Sequence, residues 1–347
     1  MASESATSGH VQPLQVGLAT TATDCRSALD ALDHCADIEL RALCGVPLDA
    51  PLPPGVERFE SARDLAARAN ISALIVVADP RSGLEAAHAG IAARKHVYLH
   101  GTLGRTFGEG AALAKAADGG PTVLAVESWW ERIREPFRRV TRTLEDFKPS
   151  LISIRVRGTP PEPRDWRYDP EAAAGGALAV LAPGWLDALL SMRRLPETVS
   201  AATGRFRRDS AATPRESEDH AVALLRWSAG LNATVEVAWG GAHPEGLMLL
   251  ENGELRVELS DTSAALRRAD GTAIEEIVLP RAGLTDQLEL FSQAIFRDEA
   301  RAAARGAIDR SLAVRACLDS IYLSARTSQP ESPRNLYAAN GWPEPRA

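Results

Sequence analysis

"LQVGLATTATDC", residues 14–25, joins a short apolar run to a small polar loop. The helix-like stretch "RSALDALDHC", residues 26–35, follows at once. Strand, tight loop and helix in that order open a doubly wound α/β domain, and the loop is where such a domain cradles a dinucleotide pyrophosphate. Glycines are wanted there, so that backbone can approach the phosphates. Thr20, Ala22 and Cys25 stand in the three glycine places. An acidic side chain is wanted after the second strand, to hold ribose hydroxyls, and Gly45 stands there. Of the three requirements only the helix N-terminus survives. Thr20, Thr21 and Ala22 are the residual candidates for nucleotide contact, the threonines through their hydroxyls. The other reading is a loop that has closed on itself.

The alternation continues downstream. "IELRALCGV" (38–46) is a strand and "SARDLAARA" (61–69) a helix. "ALIVVADP" (73–80) is a buried strand, "GLEAAHAGIAARK" (83–95) a helix, "HVYLHG" (96–101) a strand, "FGEGAALAKAAD" (107–118) a helix and "PTVLAVES" (121–128) a strand. Apolar strands without alternation, separated by helices, predict a Rossmann-type parallel sheet. "REPFRRVTRTLEDF" (134–147) reads as a linking helix. Beyond it the period changes to two. "SLISIRVRGT" (150–159), "TVSAATGRF" (198–206), "AVALLRWS" (221–228), "NATVEVAWG" (232–240), "GLMLLENGELRVEL" (246–259) and "AIEEIVL" (273–279) read as half-buried strands. Asn252-Gly253 marks a hairpin. "ALAVLAPGWLDALLSMRR" (177–194) reads as one helix carrying Pro183 and Gly184, and two helices, 286–300 and 312–326, close the pattern.

The fold expected is α/β. A disordered tail spans 1–13, a degenerate Rossmann-like domain 14–145, an α+β domain with a large, mostly antiparallel sheet 146–328, and a Pro-rich tail 329–347.

Composition narrows the function classes. The 347 residues carry a net charge of −7 with no basic block, which argues against nucleic acid as a partner. No apolar run approaches the ~20 residues that span a bilayer, and the small, polar first dozen residues lack a signal-peptide pattern. A cytoplasmic protein away from membranes is the expectation. Cys25, Cys35, Cys44 and Cys317 fit neither a metal spacing nor a disulfide scaffold, so reduced thiols and no metal are expected.

Doubly wound sheets bind ligands beyond the carboxyl ends of their strands. That rule brings Asp79, His100 and Glu127 together as an acid/base cluster. Trp129 and Trp130, with Arg132, suit the face of a sugar-like or aromatic ligand, or fill space at a domain joint. In "RDWRYDP" (164–170), Trp166 and Arg167 are candidates for the cleft wall. Arg167 suits a carboxylate or phosphate, with an ion pair to Asp165 or Asp169 as the competing role. Trp185 either touches ligand or packs. His220, His243 and Asp187 read more readily as structural.

The chain resembles the Gfo/Idh/MocA oxidoreductases, the glucose–fructose oxidoreductase and inositol dehydrogenase group. "RKHVYLHGTL" (94–103) is similar to GKHVxxEKPL, "REPFRRV" (134–140) to DPAFRRV, and "WRYDPEAAAGGALAVLAPGWLDALL" (166–190) to WRxDPxxxGGGALxDLGxHxxDLL. "LDSIYLSARTSQP" (318–330) resembles the closing helix. The resemblance covers nearly the whole chain. It implies a Rossmann domain, a second domain with an oligomerising sheet, and hydride transfer between NAD or NADP and a sugar or polyol. The family uses a lysine from Glu-Lys-Pro and an Asp and His four residues apart. Carried over, the Glu-Lys-Pro positions are His100, Gly101 and Thr102, and the Asp and His positions are Val180 and Gly184. Every proton-handling side chain of the set is absent.

Three functions stay open. The first is a protein that has lost hydride transfer and needs no cofactor. It would be a non-redox acid/base enzyme on a sugar-like metabolite, or an inactive partner of an active paralogous subunit. The second is an oxidoreductase using NAD or NADP at a displaced site, with His100 as base. The third is a ligand-sensing module. In each, a small molecule is the ligand and the second sheet supports a homodimer or higher homo-oligomer.

Overall fold

A computed structural model describes residues 12–47, 50–68, 70–142, 147–162, 165–205, 217–228, 230–240, 245–279 and 283–344, the side chain of Arg132 excepted. The tail at 1–11 and His243 lie outside these residues.

The first domain holds strands β1 (Leu14–Thr20), β2 (Ile38–Cys44), β3 (Glu57–Phe59), β4 (Ala73–Val77), β5 (His96–Leu99) and β6 (Leu124–Val126). They form a parallel sheet in the order β3-β2-β1-β4-β5-β6, the Rossmann order. Its helices are α1 (Cys25–Asp33), α2 (Ala62–Ala67), α3 (Pro80–Ala92), α4 (Phe107–Ala117) and α5 (Trp129–Thr141). Polar side chains start three of them: Ser61, Asp79 and Thr106 accept backbone N–H groups of α2, α3 and α4. β4 is buried at every position, as a central parallel strand must be. β3 escapes a sequence reading because three residues carry no periodicity.

In the second domain, β7 (Leu151–Gly158) leads through a 3₁₀ turn, Trp166–Tyr168, into α6 (Pro170–Ala173), α7 (Ala177–Leu181) and α8 (Pro183–Met192). The expected single helix over 177–194 is broken at Ala182. Pro183 has no N–H to continue the ladder and starts a new helix instead. The sheet adds β8 (Thr198–Gly204), β9 (His220–Arg226), β10 (Asn232–Trp239), β11 (Glu245–Glu251), β12 (Leu255–Ser260), β13 (Ser263–Arg268) and β14 (Ala273–Val278). Its order is β14-β13-β12-β11-β7-β10-β9-β8, antiparallel except for β7 beside β10.

The chain then returns to the first domain. α9 (Leu284–Phe296) lays Leu288, Phe291 and Ala294 on the apolar layer of β1 and α1. The extended residue Arg297 ends it, and α10 (Asp298–Thr327) begins at once. α10 packs on β6 and α4 of one domain and on β8 and α8 of the other, so it ties both sheets together. α11 (Arg334–Ala339) follows where a tail was expected. Its Tyr337 is buried, with its ring 4.6 Å from that of Phe107. Among the described residues no helix is long and apolar enough to cross a membrane.

One face of the second sheet carries the helices. The other presents Leu151, Val222, Leu224 and Leu247 at 36–48% exposure. Val222, Glu236, Arg155 and Leu247 form one row across it, by the register of β9, β10, β7 and β11.

Candidate functional site

The carboxyl ends of β5 and β6 place His100 beside Glu127. The His100 backbone N–H bonds the Val76 carbonyl and that of Glu127 bonds the Leu99 carbonyl, so the sheet itself sets their spacing. His100 Nδ1 lies 3.3 Å from Glu127 Oε2, which also accepts the Gly101 N–H at 3.0 Å. Tyr98 Oη is 3.4 Å from the same nitrogen. Burial, and after it the Glu127 charge, push the Tyr98 phenol well above its usual range, so it stays neutral. Nδ1 is thus approached by both the Tyr98 hydroxyl and the Glu127 carboxylate.

Both residues line a cavity of about 290 Å³ between the two domains, shared with Trp129, Trp166, Arg167, Val180, Gly184 and Asp187. Asp79 does not join the cluster. Its carboxylate caps α3, accepting the N–H groups of Arg81 and Ser82 at 3.1 and 3.0 Å.

Two residues between β1 and α1 shape the other end. Asp24, at the N-terminus of α1, was not singled out from the sequence. Its carboxylate accepts Trp166 Nε1 at 2.7 Å, Arg167 Nη2 at 2.8 Å and Thr21 Oγ1 at 2.7 Å. Burial raises the pKa of this carboxyl, but the bonds from Arg167, Thr21 and Trp166 more than offset that and hold it below its ordinary value. Thr21 is therefore turned onto Asp24, and Thr20 is buried. Arg167 also pairs with Asp165, as the sequence suggested, and stacks 4.3 Å from the Trp166 ring centroid. At Gly45, φ is +85°, and a Cβ there would overlap the Thr20 carbonyl oxygen. The approach of two loops excludes any side chain at that position.

Trp129 packs closely on Gly184: a Cβ there would lie 3.3 Å from Trp129 Cβ, a tight contact. Trp129 and Trp185 are 4.1 Å apart. Trp185 is core, not cleft: it is 5% exposed and packs on Gly246 of β11. Trp130 faces away from the cavity toward Phe137. The Arg132 side chain lies outside the described residues.

Asp187 borders the cavity but is committed to structure. It accepts Ser128 Oγ and the Trp130 N–H at 2.8 Å and Arg310 Nε at 3.0 Å. Arg310 reaches on to Glu131 at 2.8 Å. Burial raises the Asp187 pKa, with Arg310 opposing it. Gly175 and Gly176 are also structural. Added Cβ atoms would overlap the Tyr322 hydroxyl and the Glu218 carbonyl, while the Glu218 carboxylate takes the N–H groups of Gly176 and Leu178 at 3.0 Å.

Beyond the carboxyl ends of β1 and β2 a larger open groove, about 1150 Å³, runs past Thr20, Gly45, Arg63 and Ser82.

Residues 148–266 match the model of the GFO/IDH/MocA C-terminal domain. A search of curated protein sequences finds no match. Solved structures are similar over almost the full length. GenD2 from gentamicin A biosynthesis, in complex with NAD, is 18% identical, with a TM-score of 0.76 over 93% of this chain and 97% of that one. Aldose-aldose oxidoreductase from Caulobacter crescentus is 17% identical, with a TM-score of 0.74 over 92% and 100%. Levoglucosan dehydrogenase, in complex with NADH and L-sorbose, is 15% identical, with a TM-score of 0.76 over 93% and 99%. Residues 148–266 are thus similar to the GFO/IDH/MocA C-terminal domain, and the whole chain shares the two-domain fold of these solved structures.

Proposed function

We propose that this chain binds a sugar-like metabolite in the His100 cavity and moves a proton on it without a nicotinamide. The observation that carries this reading is the Asp24 carboxylate at the N-terminus of α1. A dinucleotide pyrophosphate belongs at that helix end. Asp24 puts a carboxylate there instead, one already bonded by Arg167, Trp166 and Thr21, so the helix end and its nearby cation are taken by the protein's own anion. Arg167, the nearby cation suited to a phosphate, is already held by Asp24 and Asp165. The closed approach at Gly45 removes the ribose-binding side chain. These residues do not fit a dinucleotide in the usual pose.

His100 is then the proton carrier. Glu127, 3.3 Å from its Nδ1, is the carboxylate placed to orient it, as one does for a general base. Trp129 offers an aromatic wall to a sugar face. A non-catalytic subunit beside an active paralogue, or a second copy of this chain, would use the open face of the second sheet, where Val222, Leu224 and Leu247 are exposed.

The structural relatives favour a second reading, an oxidoreductase of a sugar or polyol. GenD2 and levoglucosan dehydrogenase were captured with NAD and NADH. The groove past Thr20, Gly45 and Arg63 has room for an adenosine half. Here the cofactor would be NAD or NADP, held partly by Thr20 and Thr21, with His100 as base.

Titration with NADH and NADPH, followed by energy transfer from tryptophan, decides between them. No transfer is expected. Saturable micromolar binding would overturn the first reading in favour of the second.

A further inference from the structure

On the far side of α5 from the cleft lies a separate cavity of about 350 Å³. Trp130, Phe137, Phe147 and Met192 form its apolar walls, and Arg138 and Arg193 supply its charge. No carboxylate lines it among the described residues. The Trp130 and Phe137 rings sit 5.8 Å apart at 57°, a tilted pair with ring surface left for a third group.

Arg193 is the informative residue. It is half-buried at the C-terminal end of α8, and its hydrogen bond is to the neighbouring Met192 carbonyl, from Nη1 at 2.8 Å. Burial lowers the pKa of its guanidinium, and no carboxylate among the described residues offsets that. Half-buried guanidinium groups are ordinarily matched by an anion, because desolvating them alone is costly. Arg138, exposed one turn before Thr141 on α5, likewise has no carboxylate partner among the described residues.

From this juxtaposition of aromatic walls with a half-buried and an exposed guanidinium group, neither paired with a carboxylate among the described residues, we infer a second ligand site, for a small aromatic carboxylate. The ring enters between Trp130, Phe137 and Phe147. The carboxylate takes fork-like hydrogen bonds from Arg193, with Arg138 at the mouth. The volume lies in the range of small-molecule pockets. A peptide or lipid tail would need a longer groove. The inference does not depend on the reaction proposed for His100.

Calorimetry with 1-naphthoate and its neutral analogue 1-naphthalenemethanol tests it on the full chain. Naphthoate is expected to bind at one site, about tenfold or more tighter than the alcohol. Arg193→Met should abolish that preference, and Arg138→Glu, an exposed change that leaves the fold alone, should weaken naphthoate binding. Equal affinity for acid and alcohol would overturn the inference. So would no binding of either, or naphthoate binding unchanged in both variants. If Arg193→Met does not fold, Arg138→Glu and the acid-to-alcohol ratio still decide.

Discussion

Arg167 of the second domain places Nη2 2.8 Å from Asp24 Oδ1 at the start of α1, and Trp166 Nε1 meets the other carboxylate oxygen at 2.7 Å. This clasp holds the domains together across the mouth of the cleft. Asp24→Ala is therefore expected to destabilise the protein by about 1–3 kcal/mol, a value kept low because Arg167 stays partly in water. Urea denaturation measures it. No change would remove the clasp from the account of stability.

The same carboxyl gives a pH dependence of defined sign. Its folded-state pKa lies below the unfolded one, so its contribution is present at neutral pH. That contribution fades as the pH falls below about 4, toward the folded value. Asp24→Asn should flatten this part of the acid limb of a stability profile. A profile that keeps its slope in the variant would assign the limb to other carboxyls.

Arg310 neutralises the buried Asp187 and also bonds Glu131 and Ser128. Arg310→Met leaves that carboxylate without its cation and should cost about 3–5 kcal/mol. The loss should shrink in Asp187→Asn, since an amide needs no counter-charge. Additive losses in a double-mutant cycle would contradict this coupling.

Gly175 has φ +142°, and a Cβ there would overlap the Tyr322 hydroxyl. Gly175→Ala should lower stability by about 1–3 kcal/mol through overpacking alone, with backbone strain adding to it. Tyr322→Phe in the same chain should recover little, because the Tyr322 ring carbon and Ala179 Cβ would still crowd the new Cβ and the Tyr322–Glu218 hydrogen bond would be lost. Thermal or urea denaturation of both variants measures this, and full recovery would place the whole cost in the hydroxyl.

Tyr337 Oη is buried with no hydrogen-bond partner among the described residues. Tyr337→Phe should therefore be neutral or stabilise by up to about 1 kcal/mol, whereas Tyr337→Ala should lose about 3–5 kcal/mol with its contact to Phe107. A clear loss in the phenylalanine variant would reveal a partner for the hydroxyl.

Strand and helix periods made the parallel sheet legible, and topology put His100 and Glu127 at neighbouring strand ends, where they meet. Asp79 obeyed the same rule yet turned to cap α3, because a side chain one residue before a helix finds unbonded N–H groups closer than the cleft. Trp185 sat beside the cleft in sequence but packs on β11, a neighbour that no local pattern names. β13, "SAALRR", lacks a strand composition and is held by β12 and β14 on either side.

By itself the sequence determined the order of elements, the second domain's switch to alternating strands, and the residue types that stand in the loop after β1 and at the strand ends. These are local properties: hydrophobic period, turn chemistry and residue identity. Tertiary structure alone decided what those residues meet. Asp24 is 142 residues from Trp166, and Asp187 is 123 from Arg310. Contacts at that separation depend on how two sheets pack through α10, and chain-local physics does not encode that distance. The loop between β1 and α1 thus lies at the carboxyl end of a parallel strand, with its own Asp24 carboxylate held by Trp166 and Arg167 from the other domain.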